Sequence, residues 1–86
     1  MAAMAIEHQD LLKAIDLALT ARWADAHSIV QRDESAEIPC WIHAVLHKIE
    51  GDEANSRYWY RRAGKFYESY ATPQAELQAI RAVLTY

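Results

Sequence analysis

Residues 41–65 read WIHAVLHKIEGDEANSRYWYRRAGK, and this stretch is the most informative for the fold of the chain. Apolar residues recur at helical spacing on both sides of Gly51 and Asp52. Glycine readily takes the left-handed backbone conformation that ends a helix, and aspartate is a good cap for the helix that follows. The stretch therefore predicts two helices that fold back on each other.

The same helical periodicity extends in both directions along the chain. We predict helices at about residues 6–20, 23–31, 39–50, 53–66 and 72–84, with a polar loop at 32–37. Pro39 and Pro73 suit first helical turns, where a missing N–H is harmless, and Thr72 is a suitable cap. The residues predicted to face the core are Leu11, Leu12, Ile15, Ala18 and Leu19, then Trp23, Ala26 and Val30, then Ile38, Trp41, Ile42, Val45, Leu46 and Ile49, then Ser56, Trp59, Tyr60, Ala63 and Tyr67, and last Leu77, Ile80 and Leu84.

Composition limits the classes of function. With 86 residues, of which 52% are hydrophobic, residues 1–86 are expected to form a single helical domain with a modest stability margin. The net charge of −3 disfavours nucleic acid as a partner of the whole chain. One cysteine, Cys40, fits a reducing, cytoplasmic location. Residues 1–10 lack the basic region of a signal peptide, and no apolar run is long enough to span a membrane.

An internal similarity with a period of 30 residues links the two halves of the helical region. Ala14, Ala26 and Val30 correspond to Ala44, Ser56 and Tyr60. Small residues at the first two positions let paired helices approach closely, and this pattern resembles the tetratricopeptide repeat. The order small, small, aromatic, small is matched by Ala44, Ser56, Tyr60 and Ala63. The first unit departs from the pattern at Asp33, the period is shorter than usual, and two units need a cap, which the fifth helix would provide.

Four motifs carry a closer resemblance: WADAH at 23–27, WIHAVLH at 41–47, EGD at 50–52 and YWYRRAG at 58–64. They resemble a small family of tetratricopeptide-like helical proteins with no established activity, and the resemblance covers most of residues 10–66. It implies an all-α fold of two antiparallel helical hairpins plus a C-terminal capping helix. It implies no catalytic role for any residue.

His43 and His47 lie four residues apart on the third predicted helix and share a stripe with Glu50. Two histidines at this spacing can reach one metal ion, and Glu50 or His27 could be a third ligand. A two-histidine helix lacks the full ligand signature, however. We therefore expect packed polar rings, no tightly bound metal and no cofactor, and we keep metal or small-ligand binding by His43, His47 and Glu50 as the alternative.

Two further groups of residues are candidates for binding. Arg57, Arg61 and Lys65 form a basic stripe on the fourth predicted helix. The stripe indicates either a solvated face paired with the acidic residues of the polar loop, Asp33, Glu34 and Glu37, or a surface for an acidic protein or peptide. Trp41, Val45 and Lys48 occupy the positions that line the inner groove in the repeat family. The pair Trp41 and Lys48 could anchor a peptide or carboxylate there, unless the first or fifth helix already covers it.

Cys40 could be a nucleophile activated by His43, but a small buried side chain is the more common role, and no third group that orients the histidine can be named. The sequence thus predicts a non-catalytic interaction module or small assembly subunit with a protein or peptide partner. Membranes are excluded as partners, nucleic acid is disfavoured, and homo-oligomer formation stays open.

Overall fold

A computed structural model describes residues 6–85 of the chain, and these residues form five α-helices with no strand among them. The all-α prediction is therefore confirmed for this part of the chain. The helices are α1 (His8–Leu19), α2 (Trp23–Val30), α3 (Glu37–Glu50), α4 (Glu53–Ala63) and α5 (Pro73–Thr85).

The end signals that were predicted from the sequence act at the expected residues. Gly51 ends α3 in the left-handed conformation, with φ of 86°. The side chain of Asp52 then accepts a hydrogen bond from the backbone N–H of Asn55 at 3.2 Å and caps α4. The hydroxyl of Thr72 accepts the backbone N–H of Ala75 at 3.0 Å at the start of α5. Each of these bonds satisfies a backbone donor that the first turn of a helix leaves free.

Two helix boundaries differ from prediction for local reasons. Helix α4 ends at Ala63 rather than Phe66, because Gly64 also takes the left-handed conformation, with φ of 71°. Helix α3 begins at Glu37, two residues before Pro39, because the Asp33 carboxylate accepts the backbone N–H groups of Ser35 and Ala36 and closes the turn early. Residues 64–72, between α4 and α5, are therefore a loop, which we call the 64–72 loop.

Helix α3 lies at the centre of the core. It packs most extensively against α4 and also contacts α1, α2 and α5, and residues 39–47 are all buried. Leu77, Ile80 and Leu84 of α5 are buried as predicted. Ile49 is 39% exposed, contrary to the prediction. Tyr67 packs on the core from the 64–72 loop rather than from α4.

The small residues with the period of 30 are fully buried, which brings helices close together. Ala14, Ala26, Ala44 and Ser56 all have 0% exposure. The Ser56 hydroxyl donates a hydrogen bond to the backbone carbonyl of Ala44 at 2.7 Å. The backbone of α3 is therefore within reach of a short side chain on α4. A larger side chain at either position would push the two helices apart.

Residues 1–5, on which part of the signal-peptide argument rests, lie outside the described residues. Within residues 6–85, every helix is too short or too polar to cross a bilayer.

Gly51 provides a test of the α3–α4 connection. Gly51→Val should lower the free energy of unfolding by about 1–2 kcal/mol, because an L side chain is strained in the left-handed region. A Cβ at this position would meet no atom within 4 Å, so the cost is conformational rather than steric. Chemical denaturation measures it. Gly51→Asn is the matched control and should cost less, since asparagine tolerates this conformation; equal losses in both variants would contradict the explanation.

Candidate functional site

Three of the four histidines form one cluster between α2 and α3. His43 and His47, from α3, are buried with exposures of 3% and 7%. His27, from α2, joins them, and its Nε2 lies 3.1 Å from Nε2 of His43. One ring nitrogen of each of the three lies within 4.8 Å of the others. The structure thus places His27, which the sequence offered as an alternative third ligand, beside the predicted pair.

Two tryptophans hold the cluster from opposite ends. The Trp59 ring stacks on His43 with centroids 3.9 Å apart, and the Trp23 ring stacks on His27 at 4.6 Å. Trp23 is itself fixed, because its indole N–H donates to the backbone carbonyl of Leu46 at 2.6 Å. The imidazoles therefore lie in an aromatic frame with little freedom to rotate.

Glu50 orients the third ring. Its carboxylate lies 2.6 Å from Nδ1 of His47, three residues earlier on the same helix. The Glu50 side chain is 39% exposed, whereas that of His47 is 9% exposed, so this pair joins the cluster to solvent. A carboxylate bound to Nδ1 favours the tautomer with its proton on that nitrogen, which leaves Nε2 of His47 with a free lone pair.

Burial favours the uncharged forms of His43 and His27. Burial, with smaller contributions from the neighbouring rings of His27 and His47, lowers the pKa of His43 to about 3. Burial also lowers the pKa of His27, with a second contribution from His47, while Glu50 opposes the change. Neutral imidazoles have lone pairs that can accept hydrogen bonds or ligate a divalent metal ion.

Cys40 lies on the same helix but does not have the surroundings of a nucleophile. It is a free cysteine with 0% exposure. Burial raises the pKa of its thiol, although Arg62 acts in the opposite direction. A reactive cysteine needs a lowered pKa and access to substrate. The position is that of a small core residue.

The groove residues Trp41 and Lys48 lie under α5, which was one of the two sequence alternatives. The Trp41 indole N–H donates to Oε2 of Glu76 at 2.8 Å, and the Lys48 ammonium donates to Oε1 of the same carboxylate at 3.0 Å. Val45 is fully buried. The carboxylate that the sequence suggested as a ligand for this pair is therefore supplied by the chain itself.

Glu76 is the residue that sequence reasoning missed. It has 0% exposure and also accepts the Tyr60 hydroxyl, 2.7 Å from both of its oxygens. Burial raises the pKa of Tyr60 above its usual range, and the bond to Glu76 raises it further, so the hydroxyl stays a donor. The available signal was spacing: Glu76 precedes Ile80 and Leu84 by four and eight residues, which places a charge on the apolar stripe of α5.

Two of the three basic residues in the stripe form ion pairs within the chain. Arg57 forms ion pairs with Glu53 at 2.7 Å and with Glu68 at 2.8 Å. Lys65 pairs at 3.0 Å with Glu37, which the structure places at the start of α3. Arg61 is exposed, and no ion pair of its guanidinium is found within residues 6–85. Of the pairings expected with Asp33, Glu34 and Glu37, the structure contains the one between Lys65 and Glu37. Arg61 leaves its positive charge available to solvent.

An aromatic surface lies next to this stripe, on the 64–72 loop, and the sequence analysis did not identify it. Phe66 is 73% exposed and Tyr70 is 37% exposed. A hollow of about 290 Å³ lies beside them, lined by both aromatics with Trp41, Gly64, Lys65, Ser69 and Glu76. A smaller hollow of about 120 Å³ is lined by Arg57, Tyr60, Arg61, Lys65, Phe66, Tyr67 and Glu68. Lys65 and Phe66 line both hollows.

Comparison of the chain with protein-family models, with curated proteins and with solved structures gives no match.

Because His43 is buried, we expect the protein to lose stability in mild acid. The unfolded chain takes up a proton at His43 near pH 6.5, whereas the folded protein does so only near pH 3. The unfolded state therefore binds more protons between these values, and the stabilisation that is present above pH 6.5 is lost as the pH falls. Relative to His43→Gln, wild type should lose about 2 kcal/mol between pH 6.5 and 5. Urea unfolding in chelator measures this difference, and parallel pH curves would contradict it.

Removal of the buried carboxylate should destabilise the protein strongly. Glu76→Gln leaves the Lys48 ammonium without its counter-charge in the core, and we expect a loss of about 3 kcal/mol in the free energy of unfolding. Glu53→Gln is the matched control, because it changes an exposed carboxylate that pairs with Arg57, and it should stay within about 0.5 kcal/mol of wild type. Equal urea midpoints for the two variants would show that the Glu76 charge is not structural.

Proposed function

We propose that this protein is a non-catalytic interaction module that binds a protein or peptide through the 64–72 loop and the adjacent end of α4. The observation that carries the proposal is the exposure of Phe66, at 73%, where it lines two hollows. Exposing a large aromatic ring to water is unfavourable. A partner that covered the ring would remove its apolar surface from water, which favours binding. Aromatic and arginine side chains are also the residue types that most often dominate binding energy at interfaces.

The charges on this surface favour an acidic partner. Residues 57–86 carry five Lys and Arg against two Asp and Glu, whereas residues 1–56 carry four against ten. Arg61 lines the smaller hollow, and Lys65 lines both. A partner that places an apolar side chain against Phe66 and Tyr70 and a carboxylate near Arg61 would match both features. Attraction between opposite charges would raise the rate of association and fix the orientation of the partner.

The tetratricopeptide-like arrangement of two antiparallel hairpins belongs to the same proposal. It is supported by the short connections between α1 and α2 and between α3 and α4, and by the close packing within each pair. In that repeat the inner groove is the usual place for a ligand. Here Glu76 of α5 takes the polar groups of Trp41 and Lys48, so a partner would use the loop surface beside the groove.

A cytoplasmic location is part of this proposal as well. The single cysteine, Cys40, is a free thiol inside the core, and such a residue needs no oxidising compartment.

Selection from a random peptide library tests the binding surface. Wild type should enrich peptides in which an acidic residue accompanies an aromatic or aliphatic one. Phe66→Ser and Arg61→Glu should each lower the affinity for an enriched peptide by about tenfold or more, as expected for central interface residues. Both side chains are exposed, so the melting temperature should change little.

Val83→Ser is the matched control for this experiment. Val83 is 54% exposed but lies on α5, away from the residues that line the two hollows. This variant should bind the selected peptides as wild type does. The other possible occupant of this surface is a second copy of the chain. Size-exclusion chromatography would show that case as self-association of wild type that Phe66→Ser loses. Peptides that bind all three variants equally, or no enrichment at all, would refute the proposed surface.

A further inference from the structure

We propose that His27, His43 and His47 together bind one divalent transition-metal ion of the Zn²⁺ class, and that Glu50 positions His47 for it. The cluster is separate from the loop surface proposed above. The sequence alone offered a pair of histidines on one helix. The structure adds a third ring from α2, and three imidazole rings are a common ligand set for zinc.

The distances in the cluster suit shared coordination. Two nitrogens bound to one tetrahedral zinc ion at the usual Zn–N distance are about 3.3 Å apart. Nε2 of His27 and Nε2 of His43 are 3.1 Å apart. One ligand atom from each of the three rings lies within 4.8 Å of those of the other two, so all three rings face a common space.

Packing alone leaves His43 unexplained. Its ring is 3% exposed, and its Nδ1 has no hydrogen-bond partner among the described residues. A buried polar atom without a partner is rare, and an ion or a functional role is a frequent reason for one. A phenylalanine would fill the same space against Trp59 without this cost. An ion bound at Nε2, which faces His27, would not give Nδ1 a partner, but it would give a reason for a histidine at this buried position.

The surroundings of the three histidines are of the kind found around protein metal sites. Histidine ligands usually bond a carboxylate or carbonyl through the nitrogen that does not hold the metal, and Glu50 makes such a bond to Nδ1 of His47 at 2.6 Å. The stacked rings of Trp23 and Trp59 limit the rotation of His27 and His43. Three protein ligands would leave a fourth position for water or a small ligand. His27 and Glu50 are partly exposed, so solvent lies next to the cluster.

The test uses the full chain, purified without a histidine tag and treated with chelator. Calorimetric titration with Zn²⁺ should give one ion per chain, and Zn²⁺ should raise the melting temperature, since a ligand that binds only the folded state stabilises it. Co²⁺ should develop the strong visible absorption of a four-coordinate site. His27→Ala should abolish both signals, and Glu50→Gln should weaken Zn²⁺ binding by about 10–100-fold.

His8→Ala is the matched control. His8 contacts the backbone carbonyl of Leu84 and is not part of the cluster, so its loss should leave the Zn²⁺ affinity unchanged. Phe66→Ser should also bind Zn²⁺ normally, which separates this inference from the proposed peptide surface. If His27→Ala unfolds, the Co²⁺ spectrum of wild type still decides. The proposal fails if wild type binds no Zn²⁺, if its melting temperature does not respond, or if His27→Ala retains the affinity.

Discussion

The buried carboxylate of Glu76 is the interaction on which the arrangement of the last three helices depends. It lies in α5 and accepts hydrogen bonds from Trp41 and Lys48 of α3 and from Tyr60 of α4. A carboxylate inside a core is unfavourable unless it is paired and hydrogen-bonded, and here both oxygens are satisfied. Because the donors come from two helices, the hydrogen bonds restrict how α5 can be placed against both of them. Apolar contacts alone would hold α5 less specifically, since they have no direction.

Helix α3 carries a second polar group on a different face. At about 100° per residue, Trp41 and Lys48 share one face, while His43 and His47 lie about 160° and about 120° around the helix from Trp41. The first face meets α5, and the second meets His27 of α2 and Trp59 of α4. A central helix that is buried on all sides usually has only apolar residues. In α3 each polar face is instead covered by another helix, which limits how its neighbours can pack.

The two polar groups differ in how completely they are satisfied, and this difference bears on function. Every polar contact of the Glu76 carboxylate is made within the chain, and Lys48 also donates to the carbonyl of Tyr67 at 2.7 Å and so ties the 64–72 loop to α3. That loop in turn presents Phe66 to solvent. The histidine cluster, by contrast, leaves Nδ1 of His43 without a partner in the described part of the chain. The first network holds the fold together, and the second has unused bonding capacity.

The local features of this fold could be predicted from sequence because they depend on neighbours along the chain. Left-handed glycine at 51, the Asp52 and Thr72 caps and the apolar stripes are properties of a few adjacent residues. The shorter α4 is a local effect as well, since Gly64 takes the same conformation, but a helical pattern that runs past a glycine does not reveal which residue ends the helix.

What only the tertiary structure decided is which polar groups meet. His27 lies 16 residues from His43, and Glu76 lies 28 residues from Lys48. Spacing on one helix correctly placed His43 beside His47, but it could not choose between Glu50 and His27 as the third member, because that choice depends on how α2 packs against α3. In the same way, the sequence placed Trp41 and Lys48 on one face of a helix, and the packing of α5 decided that this face is closed. Contacts between helices depend on the whole core. The periodicity of one helix therefore does not show which other helix covers each of its faces.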